Sequence, residues 1–447
     1  MGKSRTILGA TGAMVCVSLV AACGGQPGSQ SSAAPSAPAA ASSAAAGGPV
    51  TIEWWGWAPG YEDAAKAWNA THPDVQVKFT QTQPGSQGGY QRMLAAVKAG
   101  NAPCLAQVGA ETLPSFLVEG ALEDITAHAQ PYNAEFQPWT LNTVTFGGKQ
   151  FGIPVDSGPM GMFYRKDIFA KHGIEVPKTW DEYAAAAEKL RKADPEVSIT
   201  TFTPDDMYGF AGFAQQAGAK WFGISGDAWQ VRMDDEATVK VANYWQGLID
   251  KKLVDVMPGW SDGLWKNYTD GRSATFVGAV WMTKVLEDSI SKTSGKWAVA
   301  PMPVWDASSP SVGNVGGSPN TVLKGCENPK EAVDFAAWLS TDATAFNDLI
   351  DKGGLFPVTV DGGSLPNMSG ARPFYGDQKV FQVFAEASRN VSPDFSWGPT
   401  MPAVNSAFGE AFGKAANGKG GTLAEALATI QEKAVASLKD KGLTVAP

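Results

Sequence analysis

The chain has 447 residues, of which 44% are hydrophobic and 10% aromatic, enough apolar surface for two domains or one large two-lobed domain. Its formal net charge is −9, and its Lys and Arg residues form no cluster. We therefore do not expect nucleic acid as a partner.

The first residues predict export. Lys3 and Arg5 precede an apolar run over 7–20, which is too short to remain as a spanning helix, and small residues follow it. This pattern is typical of a secretory signal peptide over 1–22. Val20-Ala21-Ala22-Cys23 also resembles the bacterial lipobox, whose cysteine is diacylated and becomes the mature N-terminus. The alternative is an ordinary cleaved signal in which Cys23 is incidental.

The segment after the lipobox predicts a flexible tether. Residues 24–48 contain only Gly, Gln, Pro, Ser and Ala, a composition that cannot bury apolar surface. We therefore assign 23–49 to a lipid-anchored linker. No later stretch has 18 continuous apolar residues, so the predicted membrane attachment is by lipid through Cys23, on the extracellular face of the cytoplasmic membrane.

The first elements of the folded part alternate between strand and helix. Residues 50–55 and 75–79 have strand patterns, and so do 105–108, while helical spacing covers 61–69 and 90–99. This order predicts an α/β fold with a mostly parallel sheet. Capping patterns predict three later helices, with the starts Thr179 with Glu182, Asn328 with Pro329 and Glu331, and Thr422 with Glu425.

Cysteine and histidine counts limit the chemistry of the chain. Cys104 and Cys326 remain after the signal and the lipobox, and in an exported protein they form either a disulfide or two separately buried thiols. The three histidines lie in polar contexts, which leaves little material for a histidine metal site or a catalytic triad. We predict no metal, no cofactor and no catalytic residue.

Several motifs, in order along residues 50–440, resemble those of bacterial extracellular solute-binding proteins of the maltose-binding type (family 1). Cys104 departs from this pattern, since the family usually places Asp there. The matching segments are the opening strand 50–56, the helix and Gly-x-Ala-Pro turn 90–103, the Gly-Lys-x-Tyr-Gly-Val-Pro-like 147–154, the Tyr-Asn-Lys-Asp-like 163–169, the Pro-Lys-Thr-Trp-Asp-Glu segment 177–182, the turn 270–276, and the Asn-Pro-Glu-Glu-Ala-like 328–332.

This resemblance implies a two-lobed clamp whose chain crosses between the lobes at a hinge. The fold would be a type II, periplasmic-binding-protein-like two-lobe clamp, each lobe a mixed, mostly parallel sheet flanked by helices. Lobe I would hold 50–154 and 304–355, and lobe II would hold 155–303 and 356–447. The family delivers substrates to ABC importers, so the implied partners are a solute and importer permease subunits. We expect a monomer.

A saccharide ligand fits the composition of this clamp. Sugar rings stack their CH faces on aromatic side chains and offer hydroxyl groups to carboxylates and amides, and the chain has 16 Trp. The candidate ligand-binding residues lie in loops, at strand ends or at positions that match the family's cleft: Trp55, Trp57, Glu111, Asp156, Trp229, Trp260, Trp265, Trp281, Gly317, Ser318, Asp394 and Trp397.

Each main candidate has a purely structural alternative. Trp57 follows the first strand and is either a cleft residue or a surface-packing one. Glu111 is either a sugar contact or a solvated loop carboxylate, and Asp156 is either a ligand contact at the hinge or a turn residue that binds its own backbone. Strand alternation places Trp54 and Trp55 on opposite faces, so at least one belongs to the core. Four helical tryptophans are assigned to the core, namely Trp68, Trp180, Trp245 and Trp338.

The sequence thus predicts a lipid-anchored protein that binds a di- or oligosaccharide for an ABC importer and is not an enzyme. One alternative is a secreted carbohydrate-active enzyme, which would need two carboxylates at one glycosidic bond. Glu53, Glu111 and Asp156 are candidates, but the sequence places no pair. A sugar receptor for a signalling system is the other alternative.

Overall fold

The computed structural model describes residues 49–392 and 394–446. The predicted signal peptide, the linker up to residue 48 and the lipid-bearing Cys23 lie outside the described residues. Among the helices described, none is both long enough and apolar enough to cross a membrane.

Short strands in several small sheets make up the β-structure. In chain order they are β1 (Val50–Gly56), β2 (Val75–Gln81), β3 (Leu105–Gln107), β4 (Thr145–Phe146), β5 (Lys149–Gln150), β6 (Asp156–Ser157), β7 (Met160–Arg165), β8 (Thr201–Phe202), β9 (Phe222–Ser225), β10 (Ala228–Val231), β11 (Asp255–Val256), β12 (Thr275–Ala279), β13 (Trp297–Pro301), β14 (Asn320–Val322) and β15 (Phe356–Pro357).

Helices cover the sheets. They are α1 (Tyr61–Thr71), α2 (Gly89–Ala99), α3 (Leu113–Val118), α4 (Thr126–Ala129), α5 (Pro138–Asn142), α6 (Lys166–His172), α7 (Trp180–Ala193), α8 (Met207–Gln216), α9 (Glu236–Asp250), α10 (Asp262–Thr269), α11 (Met282–Ser289), α12 (Pro329–Thr341), α13 (Ala343–Gly353), α14 (Val380–Ser388), α15 (Met401–Ala416) and α16 (Leu423–Asp440). Short 3-10 helices lie at Gly85–Gln87, Gln130–Glu135, Ser291–Thr293, Gly362–Ser364, Pro366–Ser369 and Pro373–Tyr375.

The first sheet has the order β14-β3-β1-β2, and we call it with its helices lobe I. Strand β1 runs parallel to β2 and β3, as the alternation of strands and helices predicts, while β14 returns from far along the chain and pairs antiparallel with β3. Trp54 on β1 is fully buried, and its ring lies 4.4 Å from that of Tyr61 and 5.0 Å from that of Phe335. Trp54 is therefore the core tryptophan of the Trp54–Trp55 pair.

The second sheet has the order β12-β7-β13, and we call it with its helices lobe II. Both pairs are antiparallel, and the neighbours of β7 come from more than 100 residues later instead of from an adjacent strand–helix–strand unit. The faces of β7 alternate: Met160 and Met162 belong to the lobe II core, which also holds Trp180 and Trp245, whereas Phe163 packs in the core shared with lobe I.

Two of the three predicted helix starts have the full capping box. Thr179 and Thr422 each accept a hydrogen bond from the backbone N–H of the glutamate three residues on, and the glutamate side chain accepts in return from the cap backbone. The third predicted helix start differs in its cap. Helix α12 does begin at Pro329, but the side chain of Asn328 makes no capping bond, so this start depends on the fixed backbone angle of proline.

The lobes are joined where two chain segments touch. Ile153 bridges Asn320, Pro159 bridges Asn314, and the N–H of Val315 donates to the carbonyl of Gly158 at 2.8 Å. A Cβ atom at residue 158 would lie only 1.8 Å from the carbonyl oxygen of Val315. Only glycine permits this approach. A third segment, β15, pairs with β6 at the same place.

These pairings bear on the predicted lobe boundary at residue 304, which stays a prediction. Val304 bridges Thr179 and Val312 bridges Val391, both on lobe II elements, whereas 320–322 pair with β3 of lobe I. We propose that the chain crosses between the lobes at 315–319.

Cys104 and Cys326 are joined by a disulfide with their Cα atoms 4.5 Å apart. The bond lies at the edge of the first sheet, since the N–H of Leu323 donates to the carbonyl of Cys104. Both cysteines pack against the core that contains Trp54. The bond therefore links β3 to the segment after β14, within lobe I.

Replacing both cysteines by serine is expected to lower the free energy of unfolding by about 2–4 kcal/mol, because the unfolded chain regains the freedom of a long loop. The two residues are separated by 222 positions. Urea unfolding of the oxidised wild type and of the double variant measures the difference. A reductant should bring the wild type down to the variant and leave the variant unchanged; a wild type that is insensitive to reductant would contradict this.

Candidate functional site

A cleft with about 980 Å³ of empty space, open to solvent, lies where the segments cross between the lobes. Its floor is the crossing backbone around Asp156 and Gly317. Lobe I contributes one wall and lobe II the other, through Trp139 and Phe146 on one side and Gln215, Phe395 and Trp397 on the other. The mix of aromatic and polar groups is that of a small-molecule site.

Asp156 is the carboxylate on this floor. Its Oδ1 accepts a hydrogen bond of 2.9 Å from the backbone N–H of Ser318. The pKa of Asp156 is raised to about 7, mainly by burial; the nearby charge of Glu111 contributes to the rise, and the Ser318 bond opposes it. The predicted residues Asp156, Gly317 and Ser318 are thus brought together, and Asp156 stabilises the crossing backbone through its hydrogen bond with Ser318.

Glu111 forms a second acidic group beside the floor. The hydroxyl of Tyr90 donates to its Oε1 at 2.6 Å, and the N–H of Gly109 donates to the Tyr90 oxygen at 3.0 Å. Burial raises the pKa of Glu111 although the Tyr90 bond opposes the rise. Glu111 itself does not line the cleft, but its neighbour Ala110 does.

Tyr208 approaches this acidic pair from lobe II. Burial raises its pKa, and the charge of Glu111 adds to the rise. Its ring also meets that of Trp397 edge to face at 5.8 Å. No basic side chain among the described residues lowers the pKa of Asp156 or of Glu111, so these two partly buried carboxyls have hydrogen-bond donors but no cation beside them.

Trp57 and Trp55, near the end of β1, have different neighbours. The N–H of Trp57 donates to Oε1 of Gln107 at 2.9 Å, and its half-buried ring lies 5.8 Å from that of Tyr90, which places it in the acidic group's surroundings. The guanidinium of Arg92 lies over the ring of Trp55, 4.4 Å from the centre of that ring. Neither is among the residues that line the cleft.

Three predicted tryptophans form a group that we call the tryptophan cluster: Trp260, Trp265 and Trp281. Trp281 donates its indole N–H to the carbonyl of Val315 at 2.8 Å, directly beside the cleft floor. The ring of Trp260 lies 6.2 Å from that of Trp281 with an angle of 12° between their planes, and 5.8 Å from that of Trp265. The structure therefore brings these three side chains together.

Two further predicted residues lie apart from this arrangement. Trp229 is on β10, where its backbone pairs with Thr444 and its ring packs on the lobe II core. Asp394 is exposed and forms an ion pair with Lys220 at 3.1 Å. Neither lines the cleft. Among the predicted tryptophans, only Trp397 lines the cleft.

The sequence analysis missed several residues of the site. Trp139 and Phe146 line the cleft from lobe I, Gln215 lines it from α8, Tyr90 bonds to Glu111, and Tyr208 lies near enough to Glu111 for its charge to raise the tyrosine's pKa. Helical spacing over 90–99 gave Tyr90 the appearance of an ordinary helix residue, and no predicted element contained Tyr208. Trp139 follows Pro138 in a one-turn helix, where no local pattern indicates which way the ring faces.

The profile of the family described as "Bacterial extracellular solute-binding protein" matches residues 25–346 of this chain. The arabinooligosaccharide-binding protein of Halalkalibacterium halodurans is 24% identical over 343 residues, which are 74% of this chain and 76% of the relative.

Solved structures of sugar-binding proteins are similar over almost the whole chain. The galacto-N-biose-/lacto-N-biose I-binding protein of the ABC transporter from Bifidobacterium longum, in complex with lacto-N-biose, has a TM-score of 0.81 and 32% identity and covers 90% of this chain and 100% of its own. The ABC transporter associated binding protein from B. animalis subsp. lactis Bl-04, in complex with beta-1,6-galactobiose, has a TM-score of 0.78 and 28% identity, with 89% and 100% covered.

Replacing Asp156 by asparagine is expected to stabilise the protein at high pH. The pKa of Asp156 rises from 3.8 to about 7 on folding, so the folded state holds the proton more tightly, and stability falls as the pH rises through this window. The D156N variant escapes that loss while its carbonyl oxygen still accepts from Ser318. It should exceed the wild type by roughly 1–3 kcal/mol at pH 8 and by little at pH 4.

Urea unfolding at pH 4, 6 and 8 measures this trend. Asp306→Asn is the matched control, because Asp306 is exposed and the hydroxyl of Ser308 lowers its pKa, so its removal should become slightly unfavourable as the pH rises. A D156N advantage that is equal at all three pH values would rule out the raised pKa.

Proposed function

The chain belongs to the family of bacterial extracellular solute-binding proteins, and we propose that it captures a di- or oligosaccharide between its two lobes and delivers it to an ABC importer. The observation that carries this proposal is a pair of partly buried carboxyls, Asp156 on the floor of the aromatic-walled cleft and Glu111 beside it, whose pKa values no basic side chain among the described residues lowers.

Sugar hydroxyl groups are suited to this pair. A buried carboxylate without a counter-ion is costly, and hydroxyl donors from a ligand offset that cost through charge-assisted hydrogen bonds. A phosphorylated or carboxylated solute would instead add negative charge beside Asp156 and Glu111. The ligand class favoured by the electrostatics is therefore neutral and rich in hydroxyl groups.

The aromatic walls account for the rest of the recognition. Trp139 and Trp397 stand on opposite lobes, so a sugar ring between them would contact both only when the lobes are together. Ligand thereby shifts the population toward the closed form, which the importer recognises.

One direct contact between the lobes accompanies this arrangement. Glu119, at the end of α3 in lobe I, pairs with Lys98 at 2.9 Å and also with Lys441, which follows α16 in lobe II. An ion pair open to solvent contributes only about 0.2–1 kcal/mol. It therefore stabilises the closed form only weakly, and the proportion of closed molecules depends mainly on the ligand.

The anchor completes the proposal. Diacylated Cys23 and the linker to residue 49 would hold the clamp near its importer on the extracellular face of the cytoplasmic membrane, and the clamp acts as a monomer. The importer's permease subunits are then the protein partner.

A thermal-shift screen tests the ligand class. Lacto-N-biose, beta-1,6-galactobiose, lactose and arabinotriose are compared with an amino acid mixture and a peptide mixture, and chromatography follows the sugar. At 100 times its dissociation constant a ligand adds about 2.7 kcal/mol of stability. We expect at least one saccharide to raise the melting temperature and to be recovered unchanged. Shifts with amino acids or peptides alone would overturn the saccharide class, and a sugar product would indicate an enzyme.

Replacing Trp397 by alanine is expected to weaken the best saccharide by at least about tenfold, the equivalent of about 1.4 kcal/mol, because the lobe II wall loses its stacking ring. Isothermal titration calorimetry measures the affinity. Trp305→Ala is the control, since Trp305 is also half-buried in lobe II but lies under Lys240, away from the cleft. Equal losses in both variants would remove Trp397 from the site.

A further inference from the structure

The side chain of Gln215, near the end of α8, connects two backbone segments at the cleft. Its Oε1 accepts a hydrogen bond of 2.8 Å from the backbone N–H of Asn314, and its Nε2 donates to the backbone carbonyl of Ser392 at 2.7 Å. One partner is a donor and the other an acceptor, which fixes the orientation of the amide. Gln215 lines the cleft and is only 7% exposed. We call these two bonds the amide bridge.

Asn314, the first partner, belongs to the backbone pairing that joins the lobes. Its Oδ1 accepts from the N–H of Gly158 at 2.8 Å, and its Nδ2 donates to the carbonyl of Gly316 at 2.9 Å. Its backbone also bridges Pro159. The side chain of Asn314 is thus engaged within the joint, and its backbone N–H connects the joint to Gln215.

Ser392, the second partner, lies at the lobe II wall of the cleft. It lines the cleft together with Phe395 and Trp397, which follow it in the chain. The backbone carbonyl of Val312 accepts from the N–H of Ser392 at 3.3 Å, which gives this segment one attachment. The amide bridge is a second attachment, and it connects the wall to α8 as well as to the joint.

Helix α8 contacts the same wall at another point. Tyr208 lies seven residues before Gln215, a spacing that places both on one face of the helix. The ring of Tyr208 meets that of Trp397 edge to face at 5.8 Å. The helix itself is fixed in lobe II, because Asp206 caps its first turn and Phe210 is buried in the lobe II core. A rigid helix therefore holds the wall and, through Gln215, the joint.

We propose that Gln215 is a positioning residue, which holds the aromatic wall of lobe II at a fixed place relative to the joint and thereby increases the affinity for the saccharide. This inference rests on the proposed function. The amide has only one N–H left for a ligand, so Gln215 acts mainly through the two segments that it connects. Without the amide bridge the wall moves more freely, and ordering it again on binding costs affinity. That cost is expected mainly as faster dissociation.

Replacing Gln215 by methionine removes the amide bridge and keeps an unbranched side chain of similar length. Gln216→Met is the matched control. Gln216 is also buried, accepts from the indole N–H of Trp180 at 2.8 Å and donates to the carbonyl of Pro303 at 2.7 Å, but it does not line the cleft. Both variants lose buried hydrogen bonds at the same turn of α8, so urea unfolding should show similar losses of stability.

Calorimetry and stopped-flow fluorescence use the saccharide that gives the largest thermal shift among lacto-N-biose, beta-1,6-galactobiose, lactose and arabinotriose. Gln215→Met should bind it about tenfold more weakly than the wild type, mainly through a higher dissociation rate, and Gln216→Met should stay within about twofold. Equal losses of affinity in the two variants, or an unchanged affinity in Gln215→Met, would overturn the positioning role alone. A wild type that binds no saccharide overturns the proposed function as well.

Gln215→Glu gives an independent readout. A protonated carboxyl can replace the amide in both bonds, whereas an ionised one has no hydrogen to donate to Ser392. Each affinity is divided by that of the wild type at the same pH, which removes the contribution of Asp156 and Glu111. The variant should recover affinity as the pH falls from about 8 to about 5. A ratio that does not change with pH would contradict the amide bridge, because a merely structural loss does not follow the protonation of residue 215.

Discussion

The contact between the two crossing segments is the constraint on which the rest of the structure depends. Residues 153–159 and 314–320 pair backbone to backbone, closely enough that Gly158 admits no side chain. This contact places the floor of the cleft and the groups bonded to it: Asp156 bonds to Ser318, Trp281 bonds to Val315, and Ala110 donates its N–H to Gly317 at 2.9 Å. The floor of the site and the joint between the lobes are the same piece of backbone.

This coincidence explains how a ligand on the floor can influence the lobes. A ligand that engages Asp156 touches the joint itself and both walls, so binding and closure share one set of groups. The same place carries an electrostatic cost, because burial there raises the pKa of Asp156 and of Glu111 and no basic side chain among the described residues lowers it. A folded protein tolerates such a cost where a ligand relieves it.

Much of the fold could be predicted because its signals are local. The parallel pairing of β1 with β2 and β3 follows from alternating strands and helices, and Thr179 and Thr422 announce their helices through neighbours three residues away. Asn328 shows the limit of such signals, since the helix forms at Pro329 without the side-chain cap. The antiparallel pairing of β7 with β12 and β13 joins segments far apart in sequence, and no local pattern encodes it.

The candidate site divides in the same way. Sequence by itself determined residue chemistry, the order of the family motifs and the loop positions of Asp156, Trp281 and Trp397, because these are properties of short segments. Only the tertiary structure decided which side chains meet: it added Trp139, Tyr90 and Tyr208, set Trp229 and Asp394 apart, and aligned Trp260 with Trp281. The physical reason is that a cleft between two lobes is made of surfaces that different parts of the chain supply, and their relative placement is settled by packing at the joint.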